Sequence, residues 1–198
     1  MTTTELSART RAGILDAAWR IASRQGPSAV SVKDVAAAAG VSRQLVYFHY
    51  QNRAGLLLAM ARHHDERSGF RRQVAEAIQR PPVPGFEAFL RSWFTYLPGL
   101  LPVARALEAA WITGADGGEA WLDRMGELRE SCRIATGRLA EAGRLAAGWT
   151  PDQAADWAWA RIQPGAWAHL VGLRGWDPGT FTDRLVDSLF ADLVAPVH

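Results

Sequence analysis

The sequence predicts an all-α fold, a small head of short helices followed by a body of longer ones. Apolar residues recur at spacings of three and four along most of the 198 residues, which places them on single helix faces. No segment alternates apolar and polar side chains as a half-buried strand does, and no repeat or low-complexity tract appears. Gly and Pro, with Ser, Thr or Asp before the next apolar run, punctuate the chain where helices should stop and start.

Residues 2–8 are polar and are expected to form a loose arm. A first helix is expected from about Ser7 to Gln25, with Ile14, Leu15, Ala18, Ile21 and Ala22 as its apolar stripe and Gly26-Pro27 as its stop. Arg9 and Arg11 leave two readings open, a solvated arm or contacts to phosphate or minor groove.

The stretch from Val30 to Arg53 organises the head. Ser31 is a good N-cap, with Asp34 three residues on as in a capping box. Val32, Val35 and Ala36 share one face, and the small run Ala36 to Ala39 lets a neighbouring helix approach. Gly40 can take the left-handed conformation that ends the helix, and Val41 is expected as a buried plug in the turn. Ser42 caps a second helix whose inward positions are Val46 and Tyr50. Its opposite face carries Arg43, Gln44, Leu45, Tyr47 and His49, with no acid. Two short helices joined at a glycine make a helix-turn-helix candidate; the plain alternative is a helical hairpin. The acid-free face suits the major groove: Arg and Gln can read base edges, Leu can touch a thymine methyl, and Tyr and His can bond phosphates. Ser31, Lys33, Ser42, Arg43, Gln44, Leu45, Tyr47, His49 and Arg53 form the candidate DNA-binding set.

Residues 9–60 resemble the DNA-binding domain of the TetR family of bacterial transcription repressors. The matching pieces are Ile14-Leu15 with Ala17-Ala18 in a first helix ending at Gly26, the turn Ala39-Gly40-Val41-Ser42, and Tyr47 with His49 closing the second short helix. Asn52-Arg53 stands where the family has an Asn/Ser-Lys pair opening helix four, so the charge is kept, and Tyr50 replaces the more usual Phe. The resemblance implies an operator-binding homodimer paired through its last two helices. It also implies an inducer pocket between helices four and eight, without saying which residues line it.

The division expected is a helix-turn-helix domain over 1–53, helix four over 52–78 as link, and a ligand-binding and dimerisation domain over 54–198. Arg53, in the first turn of helix four, can reach a phosphate beside the free helix N–H groups. His63, His64, Asp65 and Glu66 invite a metal reading, but neighbouring helical residues point in different directions, and no metal or cofactor is expected.

Beyond Pro81 to Gly85, a helix carries Phe86, Phe89, Leu90, Trp93, Phe94 and Leu97 as a wide buried stripe, and Pro98 to Pro102 is expected to break it. The longest helix is expected from Glu119 to Ala147, with a heptad-like seam of Trp121, Met125, Leu128, Cys132, Ala135, Leu139 and Ala142. Thr150-Pro151 and Asp177-Pro178 open later helices, and Pro164-Gly165 should kink or split the one between. The last helices combine Leu185, Leu189, Phe190 and Leu193 with small Ala166, Ala168 and Gly172, a surface fit for a homodimer. The candidate ligand-binding residues are Trp93, Trp111, Trp121, Trp159, Gln163 and Trp167; Arg91, Glu108 and His169 could add polar groups. A lipophilic or aromatic inducer is the expectation, with core packing as the alternative for any one tryptophan.

Net charge is +2, unevenly spread: residues 1–67 hold nine Lys/Arg against five Asp/Glu. That is the electrostatic footprint of a duplex-binding head. No apolar run of about 18 residues suggests a membrane span, the N-terminus does not read as a secretory signal, and Cys132 stands alone. These features favour a cytoplasmic protein. No phosphate loop, catalytic triad spacing or metal-ligand cluster appears, so an enzyme is not expected. The functional expectation is a ligand-responsive DNA-binding regulator released from a palindromic operator. The alternatives are a helical binding or interaction module without DNA readout and an activator of the same fold.

Overall fold

Helix follows helix along the chain, as the three-and-four spacing requires. The computed structural model describes residues 3–26, 29–115 and 117–196. The elements are α1 (Thr3–Gln25), α2 (Val32–Ala39), α3 (Arg43–Tyr50), α4 (Arg53–Ser68), α5 (Phe70–Gln79), α6 (Pro82–Thr113), α7 (Gly118–Glu141), α8 (Pro151–Arg161), α9 (Pro164–Trp167) and α10 (Pro178–Leu193). α9 runs on as a π-helical stretch, Ala168–Leu173. Thr2 of the expected arm, Pro27 of the expected helix stop, and His198 lie outside the described residues.

The predicted caps form. Ser31 Oγ accepts the Asp34 amide at 3.1 Å, and Ser42 Oγ accepts the Leu45 amide at 3.2 Å. Thr150 and Gln153 make a reciprocal capping box on α8, and Asp177 caps α10 by accepting the Thr180 amide at 2.8 Å. Each satisfies helix N–H groups that have no partner inside their own helix.

Several predicted boundaries move. α1 already begins at Thr3, so the expected loose arm is helical from that residue. Helix four does not run to 78: Gly69 takes φ 76°, α4 stops at Ser68, and α5 starts afresh at Phe70. α6 passes through Pro98 and Pro102 without a break. The reason lies in its buried face: Leu97, Leu100, Val103, Ala104 and Leu107 keep helical register and are all at most 5% exposed. Continuous burial on that face outweighs the hydrogen bond that a proline cannot make, as at exposed Pro98. α6, at 32 residues, is therefore the longest helix, and α7 has 24. α7 ends at Glu141 rather than Ala147, because Gly143 turns left-handed and the chain then pairs Leu145 with Val194 in one antiparallel bridge. Pro164 divides two helices; it occupies the first position of α9, where its missing N–H is harmless.

The contacts form two compact units. One comprises Met1–Ser68 with Pro102–Arg124, the other Gly69–Leu101 with Met125–His198. In the first, Ile14, Ala18, Val35, Val46, Leu56 and Met60 are fully buried. In the second, Phe94 of α6, Trp167 of α9 and Phe181 of α10 pack as an aromatic trio, with ring centroids 5.2 to 6.0 Å apart. The α7 seam is real: Met125, Leu128, Cys132, Ala135 and Leu139 are buried, whereas Ala142 is exposed. Burial also pushes the Cys132 thiol well above its ordinary pKa.

Candidate nucleic-acid interface

The turn between α2 and α3 is set by Gly40 at φ 68°, whose amide bonds to Ala37 O while the Val41 amide bonds to Ala36 O at 3.0 Å. This is the Schellman closure, and it fixes the direction in which α3 leaves. Val41 itself is half-buried, not the fully buried plug expected.

α3 then sorts its side chains into three stripes. Val46 is fully buried against the head, with Tyr50 half-buried below it. The Tyr50 hydroxyl donates to Arg11 O at 3.3 Å, so the polar atom this Tyr adds over a Phe has a partner on α1. Burial raises the Tyr50 pKa, opposed by the nearby Arg11 charge. Leu45 and His49, one turn apart, are half-buried on the flank; Leu45 therefore does not stand on the open face where the sequence put it. The open stripe is Arg43, Gln44, Tyr47 and Phe48, at the spacing of one helical turn, and α3 contains no acid. Phe48, 80% exposed, is the residue the sequence reading passes over, although its place four after Gln44 signals the same face. Lys33 and Ser42 are exposed, as are Arg9 and Arg11 on α1, and Ser31 is half-buried beneath its cap.

The joint between α3 and α4 is unusually tight. The Asn52 amide bonds to Tyr50 O at 2.6 Å across Gln51, whose φ is 59° and ψ −49°. That is a γ-turn of the strained hand. Asn52 Oδ1 accepts the Gly55 amide at 2.8 Å and starts α4. A Cβ on Gly55 would lie 2.5 Å from Tyr50 O, so glycine lets α4 approach the end of α3. Arg53, expected at a phosphate, donates its Nε to Val30 O at 2.8 Å and so braces α4 against the entry to α2.

α4 is held on two sides within the first unit. Toward α1, the Asp16 carboxylate receives His63 at 3.1 Å and Arg67 at 2.9 Å, and Trp19 stacks on His64 with centroids 3.5 Å apart. Burial, helped by the charge of His63, lowers the His64 pKa to about 4. Toward α7, Arg62 grips Asp123 with two bonds of 2.5 and 3.1 Å, and Asp65, 1% exposed, pairs with Arg124. Among the described residues no group of three His, Cys, Asp or Glu is placed to hold a metal.

The candidate ligand-binding residues fall in both units. Trp111 is 48% exposed and Trp121 4% exposed, both in the first unit. In the second, Trp93 donates to Ile162 O at 2.8 Å, Trp159 to Met125 O at 3.0 Å, and Gln163 to Trp159 O at 2.9 Å. Trp167 belongs to the aromatic trio, and Arg91 is taken by Glu87 and Asp183. Glu108 is half-buried and His169 exposed.

Known proteins match this arrangement. The family described as bacterial regulatory proteins, tetR family, matches residues 14–60, the span from α1 through most of α4. The HTH-type transcriptional regulator AcrR of Shigella flexneri is 45% identical over 47 residues, 24% of this chain and 22% of that protein. The chain thus matches only about a fifth of this relative's length. A structure assigned as a transcriptional regulator from Saccharomonospora viridis, in complex with choline, superposes with a TM-score of 0.76 at 20% identity, covering 96% of this chain and 100% of that one. NalD of Pseudomonas aeruginosa, the secondary repressor of the MexAB-OprM multidrug efflux pump, gives 0.64 at 24% identity, covering 96% and 100%. At these identities the two structures speak for the fold alone. The likeness to the tetR family of bacterial regulatory proteins thus lies in residues 14–60, and the likeness beyond them is one of fold.

Proposed function

We propose that the protein is a ligand-responsive transcriptional repressor that binds duplex DNA as a homodimer and leaves a palindromic operator when a small lipophilic or aromatic molecule binds. One observation carries the reading: the open stripe of α3 offers Arg43, Gln44, Tyr47 and Phe48 without an acid. Arg43 and Gln44 read base edges; Tyr47 and the exposed cations Lys33, Arg9 and Arg11 meet phosphates, with Ser31, Ser42 and His49 at the margins. Arg53 contributes by holding α4 against the head as well as by its charge.

A single head reads one half-site, so the second comes from a partner copy, paired through α8 to α10. The helix-turn-helix function resides in residues 1–53, and ligand binding and pairing in 54–198. Trp93, Trp111, Trp121, Trp159, Gln163 and Trp167 are the candidate ligand contacts. α4 transmits the signal, because its ion pairs to Asp123 and Arg124 give any displacement of α7 a grip on the head. Work of this kind places the protein in the cytoplasm and needs no catalytic group; among the described residues no helix is long and apolar enough to cross a membrane.

The test is the salt dependence of binding to duplex DNA. Contacts to Z phosphates give a log–log slope of about −0.9Z, so a steep negative slope is expected, of magnitude four or more for a dimer. A slope near zero rejects the reading.

A further inference from the structure

Phe48 is the most exposed of the large apolar side chains among the described residues, at 80%. Its ring meets the edge of the adjacent His49, with centroids 5.2 Å apart, which leaves most of it in water. Nothing in the packing of the head calls for an aromatic residue there, since Val46 and Tyr50 already fill the inward face of α3. The ring stands one turn after Gln44 and beside Tyr47, on the helix face that carries no acid. Whatever covers Phe48 must therefore also accept Arg43 and Gln44. The major groove does so, and the apolar group it presents is the thymine C5-methyl.

We propose that Phe48 is a specificity-determining residue that packs on the C5-methyl of a thymine in each half-site, beside the base pairs met by Arg43 and Gln44. The inference rests on the reading of α3 as the DNA-reading helix and adds a base identity to it. The contact is apolar, so it selects thymine over cytosine and over uracil without a hydrogen bond.

The experiment replaces each thymine of an operator, selected from a random duplex pool, with deoxyuridine, which removes the methyl and keeps the pairing. At one position per half-site the protein should bind about fourfold more weakly, the value of burying one methyl group, and about sixteenfold more weakly when both half-sites are changed. Phe48→Ala should bind the thymine and uracil operators alike. Arg43→Ala should bind more weakly but keep the discrimination. The exposure of Phe48 means that Phe48→Ala should fold, which its helical circular dichroism checks. A protein indifferent to uracil at every position overturns the proposal. So does a Phe48→Ala variant that still discriminates, or a selected operator with no thymine shared by its half-sites. In those cases the regulator reading stands; a pool that enriches no sequence rejects that reading instead.

Discussion

Gly55 and Gln51 show how much of the α3–α4 joint rests on single residues. Gly55→Ala places a methyl 2.5 Å from the Tyr50 carbonyl, a backbone atom that cannot swing aside. The substitution should cost roughly 1–3 kcal/mol of stability, as overpacking does, read as a lowered midpoint in urea. Gln51→Gly should act in the opposite sense, by about 1 kcal/mol, because glycine holds φ 59° without the penalty a side chain carries. An unchanged midpoint for Gly55→Ala would mean that the joint relaxes freely. Residues governed by local rules were legible in the sequence: Ser31, Ser42, Gly40, Thr150 and Asp177 cap or close helices where they were expected to. Gly55 was not legible, since its need arises from a carbonyl brought close by a γ-turn, which no spacing rule foresees. Phe48 was legible by spacing, and the inward–outward division of α3 simply passed over it. Leu45 and His49 fall on the flank because an eight-residue helix resting on the head hides more than one stripe.

α4 is the element whose restraints matter most to any coupling between ligand and DNA. Asp65 is buried with Arg124, and breaking such a pair leaves a charge without its counterpart. Arg124→Met should destabilise the protein by about 3–5 kcal/mol, and adding Asp65→Leu should restore much of that loss. A double variant no more stable than the single one would show that the pair does more than neutralise a buried charge. The His64 stack on Trp19 adds a pH dependence. The folded pKa, about 4, lies below the ordinary 6.5, so between these values the unfolded chain takes up a proton that the folded one refuses. Stability should therefore fall as pH drops from about 6.5 to 4, and thermal melts of His64→Gln should show a shallower fall. An equal fall in both would assign the effect to other groups. At this scale the sequence read helix content and stripes well and boundaries less well. Proline is a weak stop when a buried face continues beyond it, as in α6. A lone glycine such as Gly69 is a strong one when the chain must turn.

As a whole, the molecule divides into a part that resembles a known family in sequence, residues 14–60, and a part that resembles solved structures only in fold. One known relative matches 47 residues at 45% identity, whereas the two structural neighbours described match over nearly the whole chain at 20% and 24%. That is why the proposed DNA-reading surface was legible in the sequence and a ligand was not. A helix in a groove needs a fixed set of side chains at fixed spacing. A helical body can be filled by many sets, and here Trp93 and Trp167 serve its aromatic packing. The central claim is that α3 reads DNA in two copies, and selection of bound duplexes from a random pool tests it most directly. The expected product is a palindrome with half-site centres one helical turn, about 10–10.5 base pairs, or a multiple of it apart, whose base preference relaxes in Arg43→Ala or Gln44→Ala. A pool that emerges as random as it entered would contradict the account.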